Sequence, residues 1–310
     1  MSDFHHVPVL FHETIDALKI NPDGVTVDCT AGGGGHSAAV LERLSDRGRL
    51  ICLDRDPDAI AVLNKRFGAD KRVTVVHDNY GNVASVLDSL SIPAVDSVLA
   101  DLGVSSFQLD EASRGFSFHH DAPLDMRMSK TGSSAADLVN TLPESALRKI
   151  LFDYGEEKFA PRIAAAIVRE RQNAPILTTL QLAEIVSAAY PAAARRGGHP
   201  ARKTFQALRI EVNGELADLP AAIQHMFHSL KPGGRLAIIS FHSLEDRIVK
   251  NTFASFTVGC TCPPEFPVCV CGKTPQGKIC FKPKTAGEQE LAENQRSRSA
   301  KLRAIEKIHD

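Results

Sequence analysis

The nine residues Asp28-Cys29-Thr30-Ala31-Gly32-Gly33-Gly34-Gly35-His36 sit where an apolar run, Val25 to Cys29, gives way to a helical pattern, His36 to Ser45. Four successive glycines let the backbone approach a ligand closely. The G-x-G-x-x-G fingerprint of dinucleotide sites is not met. Counted from Gly32 its third glycine falls on Ser37, and counted from Gly33 it falls on Ala38.

Working outward, a second strand, Arg49 to Leu53, ends at Asp54, and Pro57 opens another helix. Val73 to His77, a helix from Tyr80 to Leu90, and Val95 to Ala100 with Asp101 at its end continue the alternation. This order predicts an α/β fold with a doubly wound parallel sheet. From Phe107 to about Glu211 the pattern is helical instead: Ser134 to Leu142, Pro143 to Tyr154, Glu156 to Gln172 and Leu180 to Tyr190. A helix around Leu219 to Leu230, the breaker Lys231-Pro232-Gly233-Gly234 and a strand from Arg235 to Phe241 then resume the sheet. The expected organisation is one domain from 1–106 and 212–310, with an inserted helical domain, 107–211, for substrate recognition. The insert leaves from a strand's carboxyl end, where open α/β sheets bind ligands, so it is expected to overhang the site.

The chain has 310 residues, 43% hydrophobic and 24% charged, and 36 Lys+Arg against 37 Asp+Glu give a net charge of −1. That composition excludes disordered and collagen-like classes. No apolar run reaches the ~20 residues of a membrane span, and MSDFHHVPVL has no signal-peptide character, so a cytoplasmic protein is expected. Neutrality argues against a partner held by bulk charge but leaves local clusters open.

The loop also fits D-x-x-x-G-x-G, from Asp28 to Gly34, the pattern of S-adenosylmethionine-dependent methyltransferases. Asp54, about twenty residues on, stands where a ribose hydroxyl would be accepted. The segments HVPVL (6–10), GGGHS (33–37), LDRD (53–56), DLGVSSFQLD (101–110), RGFSF (114–118), PLDMRM (123–128), SFHSLEDR (240–247) and RSAKLR (298–303) together span nearly the whole chain. In this order they resemble the bacterial small-subunit ribosomal-RNA cytosine-N4 methyltransferases, the RsmH/MraW family. The resemblance implies a class I, Rossmann-like methyltransferase fold with S-adenosyl-L-methionine as methyl donor. It implies a cytidine in the decoding region of 16S ribosomal RNA as target, with small-subunit rRNA, in an assembled or late-assembling subunit, as partner. It carries over Gly34, Gly35, His36, Asp54, Tyr80, Asp101 and Gln108 as cofactor contacts; the family often has Phe where Tyr80 stands.

Methylating an exocyclic amine by direct displacement needs positioning rather than a protein nucleophile. C5 methylation of cytosine uses an attacking Cys, commonly as Pro-Cys, and this sequence has no Pro-Cys dipeptide. Asp101 is therefore expected to position and polarise the target amine. The stretch 195–209 carries five basic residues and no acid: Arg195, Arg196, Arg202, Lys203 and Arg209. These, with Arg114 and Arg127, are the expected RNA contacts, and Phe116 and Phe118 are candidates to stack on an unpaired base. Arg247 is a further cleft candidate, and Arg296, Arg298, Lys301 and Arg303 form a second cluster. His119, His120 and His242 read as surface or capping residues. The competing readings are a non-catalytic RNA-binding assembly factor that keeps a cofactor fold, and a nicotinamide-dependent dehydrogenase, which the missing third glycine disfavours.

Of seven cysteines, Cys29 and Cys52 fall in strand-like runs, and Cys260, Cys262, Cys269, Cys271 and Cys280 lie in one short stretch. Zinc held by Cys260, Cys262, Cys269 and Cys271 is chemically reasonable, although two C-x-C arms this close are cramped beside the usual C-x-x-C knuckle. Reduced cysteines in an ordered loop are favoured over it, and reversible disulfides are the third reading.

Overall fold

The computed structural model describes residues 8–191, 198–260, 262–263, 268 and 270–309. It opens with α1 (Phe11–Leu18), β1 (Val25–Asp28), α2 (Gly35–Leu41), β2 (Arg49–Asp54), α3 (Pro57–Phe67), β3 (Val73–His77), α4 (Val83–Ser89) and β4 (Val95–Asp101). A helical run follows: α5 (Ser106–Asp110), α6 (Ala135–Thr141), α7 (Glu144–Gly155), α8 (Ala160–Glu170), α9 (Thr179–Ala189) and α10 (Ala201–Asn213). The chain closes with α11 (Leu219–His228), β5 (Leu230–Ser240), α12 (Ser243–Phe256), β6 (Gly277–Ile279), α13 (Glu288–Glu293) and β7 (Lys301–Lys307).

The strands form one sheet in the order β3-β2-β1-β4-β5-β7-β6. β1 to β5 are parallel, and β7 runs antiparallel to both β5 and β6. Each central strand is apolar on both faces, as a parallel sheet covered by helices requires. Val27, Ile51, Leu53, Val98 and Ile238 pack with Val86, Ile223, Phe227 and Phe253 of α4, α11 and α12. Leu50, Cys52, Leu99, Ala237 and Leu302 face the other way, onto Ile15, Leu18, Val40 and Leu63 of α1 to α3. The strand order reverses between β1 and β4, so the crevice for a ligand lies at their carboxyl ends.

The chain divides into two compact units: one runs to Gly103 and resumes at Leu216, and the other is Val104–Glu215. The second has a core of its own, built on Leu124, Met126, Leu147, Leu151, Ile163, Ile167, Leu182 and Leu208. No helix among the described residues is long and apolar enough to cross a membrane.

Three local expectations need correction. The Lys231-Pro232-Gly233-Gly234 breaker does not end the strand's approach: β5 starts at Leu230 and absorbs the extra residues as a register shift opposite Val95/Ser97. Gly233, at φ +83°, supplies the conformation, and Lys231 Nζ meets Asp96 Oδ2 at 2.7 Å. The helix expected to reach Ser45 stops at Leu41, and the Ser45 N–H turns to the Pro22 carbonyl. Tyr80–Asn82 is a 3-10 turn capped by the Asn79 side chain rather than α-helix.

α12 is fastened to β7 by Asp246, whose Oδ1 accepts from Arg303 Nε at 2.7 Å and whose Oδ2 accepts from Lys301 Nζ at 3.1 Å. Burial works to raise this carboxyl, but the hydrogen bonds from Arg303 and Lys301 outweigh it and hold it below its ordinary value. A depressed native value means stability that is present above the unfolded value of about 4 and lost as pH falls through the native one. Asp246→Asn should cost about 1–3 kcal/mol at neutral pH. The difference from wild type should shrink below pH ~4, read by denaturant unfolding across a pH series.

Candidate active site

Leaving β1, the chain is held across the sheet by backbone bonds: Cys29 N–H to the Leu99 carbonyl (2.8 Å) and Ala31 N–H to the Leu53 carbonyl (2.9 Å). The turn closes with Gly34 N–H to the Ala31 carbonyl, and Gly34, at φ +78°, starts α2. Gly32 N–H donates to Asp54 Oδ2 at 2.8 Å, and Asp56 N–H donates to Asp54 Oδ1 at 2.9 Å. The tip of β2 thereby fixes the glycine loop. Burial raises the Asp54 carboxyl, the two N–H bonds opposing it.

The glycines have different reasons to be glycine. A Cβ on Gly34 would stand 2.6 Å from Phe67 Cε2, and one on Gly35 would stand 2.4 Å from Pro8 Cγ. A Cβ on Gly33 would meet nothing within 4 Å. Gly34 and Gly35 are therefore small because the core is close, and Gly33 borders open space.

Asp28 is buried beneath the loop, accepting from Ser37 Oγ at 2.6 Å and from Thr30 N–H at 3.3 Å. Burial pushes its carboxyl up to about 6, against the pull of the Ser37 and Thr30 bonds and with the charge of Asp54 adding to it. Asp101 ends β4 with its N–H on Thr30 Oγ1 at 2.6 Å. Its Oδ2 lies 3.9 Å from His36 Nδ1, and its Oδ1 is shielded from solvent with no hydrogen-bond partner among the described residues. Burial, then the charges of Asp28 and Glu245, raise this carboxyl well above its usual range. His36 is itself buried and stacks on Phe11, with centroids 6.0 Å apart.

Glu245 was not singled out from the sequence. It is buried in the first turn of α12, where its Oε2 takes the N–H groups of Phe241 (2.8 Å) and His242 (3.3 Å). Its Oε1 is 3.1 Å from His242 Nε2 and 3.9 Å from the point where Gly103 would carry a Cβ. The signal for it was the cap: His242 at the N-cap and Glu245 three residues on form a reciprocal capping box. His242 is thus a capping residue, and His119 and His120 are exposed, as expected.

Gly34, Gly35, His36, Asp54 and Asp101 gather at the ends of β1, β2 and β4 in one unit, with Tyr80 half-buried past the end of β3. Gln108 belongs to the other unit, where it is buried and its Oε1 accepts from Ser105 N–H at 3.0 Å in the capping box of α5.

Several expected RNA contacts serve the fold instead. Arg114 is buried, donates to the carbonyls of Arg127 and Met128, and lies over the Phe116 ring. Arg127 is paired bidentately with Asp125, and the Arg209 guanidinium, largely buried, is paired bidentately with Glu215. Phe116 is a core residue, and Phe118 stacks on His199 and meets Phe205 edge-on. Charge counting missed these roles because the neutralising partners are outside the basic run or backbone carbonyls. Arg202 and Lys203 are exposed, although Lys203 Nζ also caps α7 at the Glu156 carbonyl. Arg195 and Arg196 lie outside the described residues, as does Cys269. In the C-terminal cluster Lys301 and Arg303 are engaged by Asp246, and Arg298 is exposed.

A family model described as the MraW methylase family matches residues 3–308. The chain belongs to that family. Among its relatives, "Ribosomal RNA small subunit methyltransferase H" of Symbiobacterium thermophilum is 54% identical, covering 98% of this chain and 97% of the relative. Proteins of the same name from Heliobacterium modesticaldum (52% identical, 98% of this chain, 99% of the relative) and Clostridium botulinum (54%, 99% and 100%) are equally similar. The sheet of this MraW-family chain is the class I methyltransferase sheet expected from the motifs.

Within this site, Gly34→Ala forces both a left-handed alanine and a clash with Phe67, and should cost about 1–3 kcal/mol. Gly33→Ala should stay within about 0.5 kcal/mol of wild type. Thermal unfolding of the two variants side by side checks the distinction.

Proposed function

We propose that this chain methylates the N4 amine of a cytidine in the decoding region of 16S ribosomal RNA, using S-adenosyl-L-methionine. Membership of the MraW family supports the reading, together with one observation at the site: Asp101 Oδ1, at the carboxyl end of β4, is shielded and has no hydrogen-bond partner among the described residues. Buried polar atoms are rarely left without partners, so such an oxygen is suited to a ligand's donor or cation.

The residues present suit the donor. Gly33 borders open space, both Asp54 oxygens keep a second lone pair for ribose hydroxyls, and raised carboxyls favour a positively charged group. When bound, S-adenosyl-L-methionine supplies a methyl group on a cationic sulfur. We assign its binding to Gly34, Gly35, His36, Asp54, Tyr80, Asp101 and Gln108. The ionised Asp101 accepts a hydrogen bond from N4 of the cytosine and orients its lone pair. The bound donor would supply its methyl group to N4 by direct displacement, sulfur keeping the electron pair of the broken bond and N4 giving up a proton to solvent. No protein nucleophile takes part.

The unit Val104–Glu215 is assigned to RNA recognition, with Arg202 and Lys203, and with Arg195 and Arg196 of the same stretch, on phosphates. We place this activity in the cytoplasm, on small-subunit rRNA in an assembled or late-assembling subunit.

Asp101→Asn should slow single-turnover methyl transfer by about 10²–10⁴-fold. Calorimetry with S-adenosylmethionine itself separates that effect from lost cofactor binding. A rate within a few-fold of wild type removes Asp101 from the mechanism. Mass-spectrometric mapping of rRNA treated with the wild-type chain should show N4-methylcytidine, and methylation at another base or atom overturns the assignment.

Proton linkage gives a second expectation. Carboxyls with raised values are neutral below them and ionise above them, and a cation binds the ionised form better. Affinity for S-adenosylmethionine should therefore rise with pH across and above ~6, where Asp28 titrates. S-adenosylhomocysteine, with a neutral sulfur, should respond less, as titration calorimetry at several pH values would read.

A further inference from the structure

The described residues of the segment between α12 and β6 have little to fold around. Its base is closed by Gln276 N–H on the Phe256 carbonyl at 2.8 Å and by Gly259 against Pro275, where an added Cβ would stand 3.3 Å from the proline ring. Beyond that base Val258, Val268 and Val270 are exposed, at 50%, 70% and 74%. No helix or strand occurs among its described residues. Connecting segments of this length without secondary structure of their own are uncommon, and many are functional.

Three thiols converge there. The Sγ atoms of Cys260, Cys262 and Cys271 lie within 4.8 Å of one another, and those of Cys260 and Cys271 are 3.7 Å apart. A disulfide needs about 2.05 Å, whereas a tetrahedral cation with metal–sulfur bonds of about 2.3 Å sets its ligands about 3.8 Å apart. The backbone is arranged for thiolates: Val270 N–H points to Cys262 Sγ at 3.3 Å and Cys262 N–H to Cys260 Sγ at 3.4 Å. Gly272, at φ +62°, turns the chain away directly after Cys271. N–H groups aimed at sulfur are the outer shell that orients metal-bound thiolates and offsets their charge.

We propose that Cys260, Cys262 and Cys271 form a structural site for a soft divalent cation, zinc by its ligand chemistry. The three thiols lose their protons to solvent on binding, and a further donor completes the tetrahedron. The site staples a surface segment and takes no part in methyl transfer, so its test does not depend on activity.

The full chain, purified under reducing conditions, is incubated with zinc, passed through buffer exchange and assayed for metal by mass spectrometry. Cobalt substitution gives an independent optical signature of tetrahedral thiolate ligation. About one zinc per chain is expected, with thiolate-to-cobalt charge-transfer absorption. Cys260→Ser and Cys271→Ser should each lower retained metal at least tenfold, and Cys280→Ser, outside the cluster, should retain it. Substoichiometric metal in the wild type, equal retention in the serine variants, or a Cys260–Cys271 disulfide persisting in reductant would overturn the site.

Discussion

Acids wholly or partly buried at one edge of the sheet impose the structure around them. Asp28, Asp54, Asp101 and Glu245 sit at or beside the carboxyl ends of the strands, and a carboxylate taken out of water must be given donors or a proton. The donors come from loop backbone: Thr30 for Asp28, Gly32 and Asp56 for Asp54, Phe241 and His242 for Glu245. Each loop that borders the crevice is thus shaped by the acid it satisfies. Asp101 is the member whose Oδ1 is given none by the described residues, and its charge is opposed by Asp28 and Glu245. The site holds its shape through the other three and keeps its chemical capacity in this one.

The glycine loop answers a second demand at the same place. Its inner side is packed so tightly against Phe67 and Pro8 that Gly34 and Gly35 admit no side chain, and Gly33 leaves space on the other. A loop that only needed flexibility would not require such packing. Here the glycines let β1, α2 and α3 close on one another.

Much of this was legible in sequence, for identifiable reasons. β3 and α3 were readable because a β-branched run and a proline after an Asp cap are local signals. Asp54 and Asp101 were readable as acids closing apolar strands. Glu245 was legible only as a cap for α12, because its place beside β4 depends on a separation that no local pattern spans. The arginines failed for the same reason in reverse. Arg209 finds Glu215 beyond the basic run, and Arg114 finds carbonyls thirteen and fourteen residues away, so these two charges are taken up inside the fold. β5 ran through a glycine-proline breaker because Asp96 on the neighbouring strand holds Lys231.

The net charge of −1 conceals how charge is used at the crevice. An edge carrying four ionised carboxylates would repel a polyanion at distances up to the ~8 Å screening length. Burial changes this: with the Asp101 carboxyl raised well above its usual range, the edge is less negative than its composition suggests. A cation entering there restores ionisation on the groups that face it and neutralises the charge it restores. On the proposed reading, the same burial that makes the acids expensive lets one edge of the sheet accept a sulfonium and still tolerate the phosphates of an RNA.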